Sequence, residues 1–163
     1  MRQPSGYSAT QIGLHWVVAV LVAAQFVLHD GISSAWDAYT KGQDVAFSPV
    51  VFAHVAGGVL ILALVLWRLA LRLSRGAPPP PENEPAPLKT LSHVAHWGFY
   101  GLMAGMTLTG GLAWFGGVAQ AAQAHNVLKV ALLALIVLHV LAVPFHRVVL
   151  KNNVMLRMIR PGA

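Results

Sequence analysis

Four long apolar stretches constrain this chain more than any other feature of its sequence. None of them contains an aspartate or a glutamate, and they run approximately over residues 12–29, 50–71, 92–115 and 126–148. A helix of about 20 apolar residues crosses the hydrocarbon core of a bilayer. Only 10% of the residues are charged, against roughly 25% in soluble domains. The sequence therefore predicts an all-α integral membrane protein, a four-helix up-down-up-down bundle forming one domain over residues 1–163.

Basic residues are distributed unevenly between the segments that connect these stretches. With the N-terminus placed in the cytoplasm, only Lys41 and Lys129 fall outside. The other basic residues then lie inside: Arg2, Arg68, Arg72, Arg75, Lys89, Arg147, Lys151, Arg157 and Arg160. This excess follows the positive-inside rule and predicts that both termini are cytoplasmic. The net charge of +6 reflects that topology, so we expect membrane lipid and no nucleic acid as a partner.

The connecting segments differ in character. Residues 30–48 predict a periplasmic loop, and the segment 76–88 is a proline-rich cytoplasmic linker that contains the run "APPPPENEPAP". Such a run favours a stiff, extended conformation. Pro144 is expected to bend or end the fourth helix. The basic, partly amphipathic tail 149–163 is expected to lie along the inner leaflet. The first stretch is longer than the apolar region of a signal peptide, so we expect it to be retained.

Two histidines delimit the apolar helix "HNVLKVALLALIVLH". His125 and His139 are fourteen residues apart, which returns them to within roughly 40° of one direction on a helix. They share one face and lie about 21 Å apart along the axis at 1.5 Å per residue. Ionisable residues inside a membrane usually face the bundle interior or a functional site. We therefore expect two functional layers at different depths.

Facing neutral imidazoles in a helical bundle are suited to axial ligation of a haem iron. His139 then requires a partner at the cytoplasmic depth, and His15 in the first stretch provides one. His125 requires a periplasmic partner, and His54 in the second stretch fits. Gly57 and Gly58 follow His54 in "HVAGG", where a flat macrocycle could lie against the backbone. The chain has no cysteine, which excludes c-type haem attachment and iron–sulfur clusters.

The remaining histidines have plainer interpretations. His29 precedes "DG" at the end of a stretch, which favours an interfacial role over a ligand. His93 and His96 could form a ligand pair or have a hydrogen-bonding role, and we favour the hydrogen-bonding role. His146 lies where haem propionates or a quinone head group would need donors. Arg68, Arg72 and Lys129 could pair with propionates, although snorkelling to the interface is at least as good an explanation for each.

These residues together resemble a known family. The chain resembles the bacterial di-haem cytochromes b of the b-561 type over nearly its whole length. The likeness rests on motifs in order and at matching depths: "LHW", "HVAGG", "WRLALRL" with a proline-rich loop, "LSHVAHWGFY", and "HNVLKVALLALIVLHVLAVPFHRVVLKNNVMLRM". No single motif is decisive.

The resemblance implies two haem b groups, one held by His15 and His139 and the other by His54 and His125. It implies a quinone-linked oxidoreductase or electron-transfer protein of the bacterial inner membrane, with ubiquinone or another quinone as substrate. His146 and Lys151 correspond to the family's quinone region. Some family members are superoxide oxidases that reduce ubiquinone. The periplasmic donor is unassigned and superoxide stays open as a candidate, with superoxide:ubiquinone oxidoreductase as the corresponding activity. The slightly negative charge of this chain's outer face counts against superoxide, because a positive field would be needed to attract the anion.

Two alternatives remain open. The chain could be a haem-carrying anchor subunit of a dehydrogenase or a hydrogenase, since the spans of such a subunit would look similar. It could also be a histidine-relay metal transporter, although such sites usually place carboxylates beside the imidazoles and the apolar stretches contain none. The sequence also leaves a homo-oligomer open.

Overall fold

The computed structural model describes residues 6–81 and 84–162. Arg2 and linker positions 82–83, which contributed to the topology and linker predictions, therefore lie outside the described residues. The described residues form α-helices and one 3₁₀ helix, with no strand among them, so the all-helical prediction is confirmed. The helices are α1 (Ala9–Val27), α2 (His29–Thr40), α3 (Pro49–Arg75), α4 (Ala86–Gly116) and α5 (Ala119–Val148), followed by the 3₁₀ helix Val154–Met158.

Local sequence determines where the long helices begin and end. Ser8 and Gln11 form a reciprocal capping box at the start of α1, which satisfies backbone donors that a helix start leaves free. Proline occupies the first turn of α3 and of α4. Backbone N–H groups in this turn have no hydrogen-bond partner within the helix, so the lack of an N–H in proline costs no hydrogen bond there. α4 ends at Gly116 and is capped by Gly117, whose φ of 66° is costly for residues with a Cβ. Pro144 lies inside α5, which continues to Val148, so the helix does not end at this proline, and the expected bend stays a prediction.

The four long helices alternate in direction. Gly98 faces Leu135 and Gly110 faces His125. Residue numbers therefore increase along α4 in the direction in which they decrease along α5, and the two helices are antiparallel. Arg68 likewise contacts Gln11, and Gly58 contacts Thr107. α1 packs on α3, α3 on α4, and α4 on α5, whereas α1 and α5 are not among the closely packed pairs. The result is an antiparallel bundle with one looser seam.

Three of the described helices are long and apolar enough to cross a membrane: α1, α3 and α5. α4 is the longest helix, with 31 residues, but it carries several glycines, threonines and histidines and is not among the three. The expected number of four spans therefore stays a prediction. Many large apolar side chains face outward on these helices, including Val20, Leu60, Val127 and Leu138. A membrane protein exposes such side chains to lipid.

The apolar core lies between the two histidine depths. It consists of Val18 and Val22 from α1, Ile61 and Val65 from α3, and Leu132 from α5. On each helix, the core residues lie between the histidines or basic residues near one end of the helix and the histidines or basic residues near its other end. The core therefore separates an outer layer, which contains His54 and His125, from an inner layer, which contains His15 and His139.

The segment expected to be a periplasmic loop contains helix α2. Its sequence is polar, so no apolar stretch marks it, but Ile32, Trp36 and Tyr39 recur at helical spacing on one face. α2 packs on α3 and α1. The hydroxyl of Tyr39 lies against Gly117 in the turn between α4 and α5. α2 therefore crosses the outer end of the bundle.

Candidate functional site

A cavity of about 250 Å³ lies in the outer layer. By a comparable measure roughly 15 Å³ holds one water molecule, so this cavity is large enough for a ligand of considerable size. Its wall combines apolar side chains with two of the predicted ligand residues, His54 and His125. Both α1 and α4 contribute to the wall, and α2 covers its outer side. The predicted outer pair thus lines one space.

The His125 ring is held in a defined tautomer. Its Nδ1–H donates to the carbonyl oxygen of Met106 at 2.9 Å, and the hydroxyl of Thr109 lies 3.3 Å from the same nitrogen. A carbonyl oxygen can only accept, so Nε2 keeps its lone pair when the ring is neutral. Metal-binding histidines are usually oriented by a bond of this kind. His125 therefore has the tautomer that a ligand requires.

Gly110 allows this placement of His125. A Cβ at position 110 would lie 3.1 Å from the ring carbon Cε1 and 3.2 Å from Nδ1. Contacts of this length are tighter than ordinary van der Waals contacts, so any larger residue would push the ring away. Sequence reasoning did not identify Gly110. The "GG" pair at 110–111, which resembles the pair at 57–58 beside His54 and lies inside a long helix unlike the pair at 116–117, was the signal that could have identified it.

His54 has a buried Nδ1 with no hydrogen-bond partner among the described residues. A buried polar group without a partner costs about 1–3 kcal/mol, so binding of a ligand to this nitrogen would be favourable. Gly58 lies next to open space on the cavity wall, as expected for a residue beside a flat macrocycle. Gly57 instead faces the side-chain amide of Gln25 on α1. The absence of a side chain at Gly57 therefore leaves room for α1.

Lys129 lies on the cavity wall, four residues after His125, on the same face of α5. Its ammonium group donates to Nε2 of His29 at 2.8 Å. His29 is also within 3.3 Å of the Ser33 hydroxyl. The Lys129 side chain therefore turns into the bundle and does not extend toward the lipid surface. His29, for which the sequence favoured an interfacial role, joins it in a polar wall that could bind carboxylates.

The inner layer brings the other predicted pair together. The ring centroids of His15 and His139 are 6.2 Å apart and their planes are inclined by 62°. Two imidazole nitrogens that bind one metal ion from opposite sides are about 4 Å apart, at about 2 Å per bond. Each ring centroid lies one ring radius farther from the metal ion than the binding nitrogen does. The observed spacing is therefore consistent with a shared iron.

Two further rings contact His139. Phe99 lies edge-to-face at 5.2 Å, and His96 lies 5.8 Å away at 88°. His93, three residues before His96, is exposed and accepts a bond from Trp97. The two histidines therefore do not act as a pair, because only His96 reaches the inner layer.

Arg68 was predicted to bind cofactor. Its guanidinium donates to the carbonyl oxygen of Gln11 at 3.1 Å. With Tyr7, Arg72 and Tyr100 it lines a cavity of about 10 Å³, enough for about one water molecule. Arg72 lies over the ring of Trp97, 5.7 Å from its centroid, a cation–π arrangement. Both cations thus lie at the inner end of the bundle, close to the inner layer.

His146 has both ring nitrogens engaged. Nδ1 donates to the carbonyl oxygen of Ala142 at 2.7 Å, and Nε2 lies 3.0 Å from a carboxylate oxygen of Glu84. The Glu84 side chain is only 4% exposed. Lys151, the other predicted quinone donor, is exposed and has a φ of 55°. Sequence reasoning missed Glu84, since 62 residues separate it from its partner.

The proline-rich linker and the tail are docked onto the inner end of the bundle. The side chain of Gln11 donates to Gly76, and Arg157 donates to the carbonyl oxygen of Pro79. Trp16 donates to the carbonyl oxygen of Met158 in the 3₁₀ helix. The tail therefore contacts the start of α1, whereas the sequence placed it along the leaflet. The linker and the tail form one cover over this end.

Both layers contain residues of the kinds that hold a haem. The outer layer has the cavity, the unpartnered nitrogen of His54, the open space at Gly58 and the oriented His125. The inner layer has two imidazoles at a spacing that suits a shared metal ion, and Arg68 and Arg72 lie close to it. Imidazoles are the usual axial ligands of electron-transfer haems.

Comparison with known proteins agrees with this chemistry. A family model described as prokaryotic cytochrome b561 matches residues 6–161. Cytochrome b562 of Cereibacter sphaeroides is 33% identical over 165 aligned residues, which cover 99% of this chain and 99% of the relative. Probable superoxide oxidase CybB of Yersinia pestis is 29% identical over 181 aligned residues, covering 94% and 95% respectively.

Proposed function

Since the chain belongs to the prokaryotic cytochrome b561 family of haem-binding membrane electron-transport proteins, we propose that it carries electrons between two haem b groups and the quinone pool of the bacterial inner membrane. The observation that carries this proposal is the presence of two histidine layers separated by an apolar core. One layer lies toward each end of the bundle. Such an arrangement suits transfer across the membrane.

The proposed axial ligands are His54 and His125 in the outer layer and His15 and His139 in the inner layer. When bound, haem b supplies one-electron chemistry at its iron. Two imidazoles on each iron would leave no open coordination position, so the protein would transfer electrons without binding oxygen at the metal. The apolar core between the layers excludes water and holds the two sites apart.

We also propose that α4 crosses the membrane, which gives four spans and places both termini in the cytoplasm. α4 packs between α3 and α5 along its length and runs antiparallel to both. Its outward residues Leu108, Leu112 and Phe115 are exposed and apolar. The basic residues of the connecting segments support the same orientation.

Charged side chains near each layer would bind the propionates. Lys129 and His29 form the polar wall of the outer cavity. Arg68 and Arg72 lie at the inner end. A cation beside a carboxylate makes a strong, charge-assisted hydrogen bond, and a fixed cation near the metal favours the reduced form.

The quinone site is proposed at the inner end, around His146 and Lys151. Because Glu84 occupies Nε2 of His146, a quinone oxygen can bind that nitrogen only by displacing the carboxylate. Quinone reduction consumes protons, and the Glu84–His146 pair holds one at this position. Ubiquinone is the simplest candidate, and the electron donor at the outer face stays unassigned. The outer residues Asp30 and Asp37 are exposed on α2 and would repel superoxide.

A second candidate is a haem-carrying anchor subunit of a dehydrogenase or a hydrogenase. Purification from the native membrane in mild detergent would separate the two functions. A stoichiometric soluble subunit that survives a salt wash would favour the anchor. A quinone-linked protein that purifies alone, as a monomer or a homo-oligomer, would favour the free-standing cytochrome.

The experiment that tests the haem proposal is a pyridine haemochrome assay with reduced-minus-oxidised spectra on detergent-purified protein. The variants are His54→Ala and His139→Ala, with the exposed His93→Ala as a matched control. We expect two haem b groups per chain in the wild type and in His93→Ala, and one in each of the other variants. A colourless wild type, or full haem in both ligand variants, would contradict the assignment.

A further inference from the structure

The His139 ring has two imidazole neighbours. His15 on α1 lies at a centroid distance of 6.2 Å, and His96 on α4 at 5.8 Å. The proposed inner haem uses only His15. A histidine inside a membrane is costly, and the proposed function gives His96 no role.

His96 is oriented as metal-binding histidines are. Its Nδ1–H donates to the carbonyl oxygen of Ser92 at 2.6 Å, so Nε2 retains its lone pair when the ring is neutral. Histidine ligands commonly donate their other N–H to a backbone carbonyl in this manner, which fixes the ring and its tautomer. His125, a proposed outer ligand, also donates its Nδ1–H to a backbone carbonyl, that of Met106 on the neighbouring helix.

Helix packing fixes His96 relative to His139 more firmly than it fixes His15. Only Gly117 and Val118 separate α4 from α5, and the two helices pack along their length. α1 and α5 are not a closely packed pair, so the His15–His139 distance spans the looser seam of the bundle. If the seam opens, His15 moves away while His96 stays near His139.

We propose that His96 is a competing ligand of the inner haem iron, which binds opposite His139 when His15 leaves. The inference rests on the proposed function, because it requires a haem b between these rings. It makes the inner site a three-histidine site with alternative ligand pairs, whereas the outer site has one pair.

The test is haem content and electron paramagnetic resonance of purified His15→Ala, His96→Ala and the double variant, with His93→Ala as the matched control. We expect His15→Ala to keep about the wild-type haem ratio and a low-spin inner signal, because His96 replaces the lost ring. The double variant should lose about half of the haem. Loss of the inner haem in His15→Ala, with the outer haem kept, would overturn the proposal. Absence of haem from the wild type would instead remove the proposed function itself.

A second measurement does not depend on the folding of a His15 variant. Carbon monoxide can bind the reduced inner haem only after one axial ligand dissociates, and a competing imidazole slows that binding. His96→Ala should therefore bind carbon monoxide several-fold faster than the wild type and His93→Ala. Equal rates in the three proteins would overturn the proposal, even if His15→Ala failed to fold.

Discussion

The carboxylate of Glu84 lies 3.0 Å from Nε2 of His146, although 62 residues separate them in the chain. Because Nδ1 of the same ring already donates to the carbonyl oxygen of Ala142, one proton must lie between Nε2 and the carboxylate. Either the imidazole is charged or the carboxyl group is protonated. This contact attaches the proline-rich linker to the end of α5.

Glu84→Ala should lower the thermal stability of the protein. Removing one partner of a pair that is largely buried costs about 1–3 kcal/mol when the other partner can return to its neutral form. For a chain of this size that corresponds to a fall in melting temperature of roughly 2–12 °C. Differential scanning fluorimetry in detergent would measure it. Asp44→Ala, at an exposed outer acid, is the control and should leave the temperature unchanged.

Gly110→Ala should release the outer haem and keep the inner one. The added methyl group would lie 3.1 Å from the His125 ring and force it from its bonds to Met106 and Thr109. We expect the haem content to fall by about half, as measured by the pyridine haemochrome assay. Gly101→Ala is the control, since a Cβ there meets nothing within 4 Å. Equal haem content in the two variants would show that the ring can move without losing the cofactor.

Lys129→Met should lower the reduction potential of the outer haem. The ammonium group lies on the wall of the outer cavity, and removal of a nearby positive charge stabilises the more positively charged oxidised iron relative to the reduced iron. A tenfold change in the redox equilibrium is about 59 mV, and we expect a fall of that order or smaller. Redox titration monitored at the haem bands would measure it. Lys41→Met, at an exposed position beyond the end of α2, should not shift the potential.

The absence of cysteine allows a direct test of the proposed orientation. Single cysteines introduced as Lys41→Cys and Lys151→Cys lie at exposed positions on opposite ends of the bundle. In intact spheroplasts a membrane-impermeant maleimide should label position 41 and not position 151. Labelling of position 151 should require permeabilised membranes. The reverse pattern would invert the proposed topology.

Sequence alone indicated the architecture and the ligand candidates for specific physical reasons. Helical period and depth placed His125 and His139 on one face, and their partners followed from matching depths. The structure brings His15 to His139 and lines one cavity with His54 and His125. The placement of these side chains was predictable because a span forces polar residues into a few interior positions, and their role as ligands stays a prediction.

The features that sequence reasoning missed depend on contacts between distant segments. Glu84 looks like any acid in a polar linker until the linker folds back onto α5. His96 and His93 have the same spacing signature, yet only the tilt and rotation of α4 decide that His96 reaches His139. Helix α2 lacks an apolar stretch, and it is held by its packing on α1 and α3. None of these contacts follows from a local pattern.

α5 carries one proposed ligand of each layer, and this determines how the protein would respond to its membrane. Bilayers of different thickness make helices tilt or slide past one another. The positions of His125 and His139 are fixed within one continuous helix, about 21 Å apart along its axis at 1.5 Å per residue. Pro144 lies beyond His139, so a bend there would move the His146 end without changing that spacing. The distance between the two layers along α5 would therefore be insensitive to lipid composition.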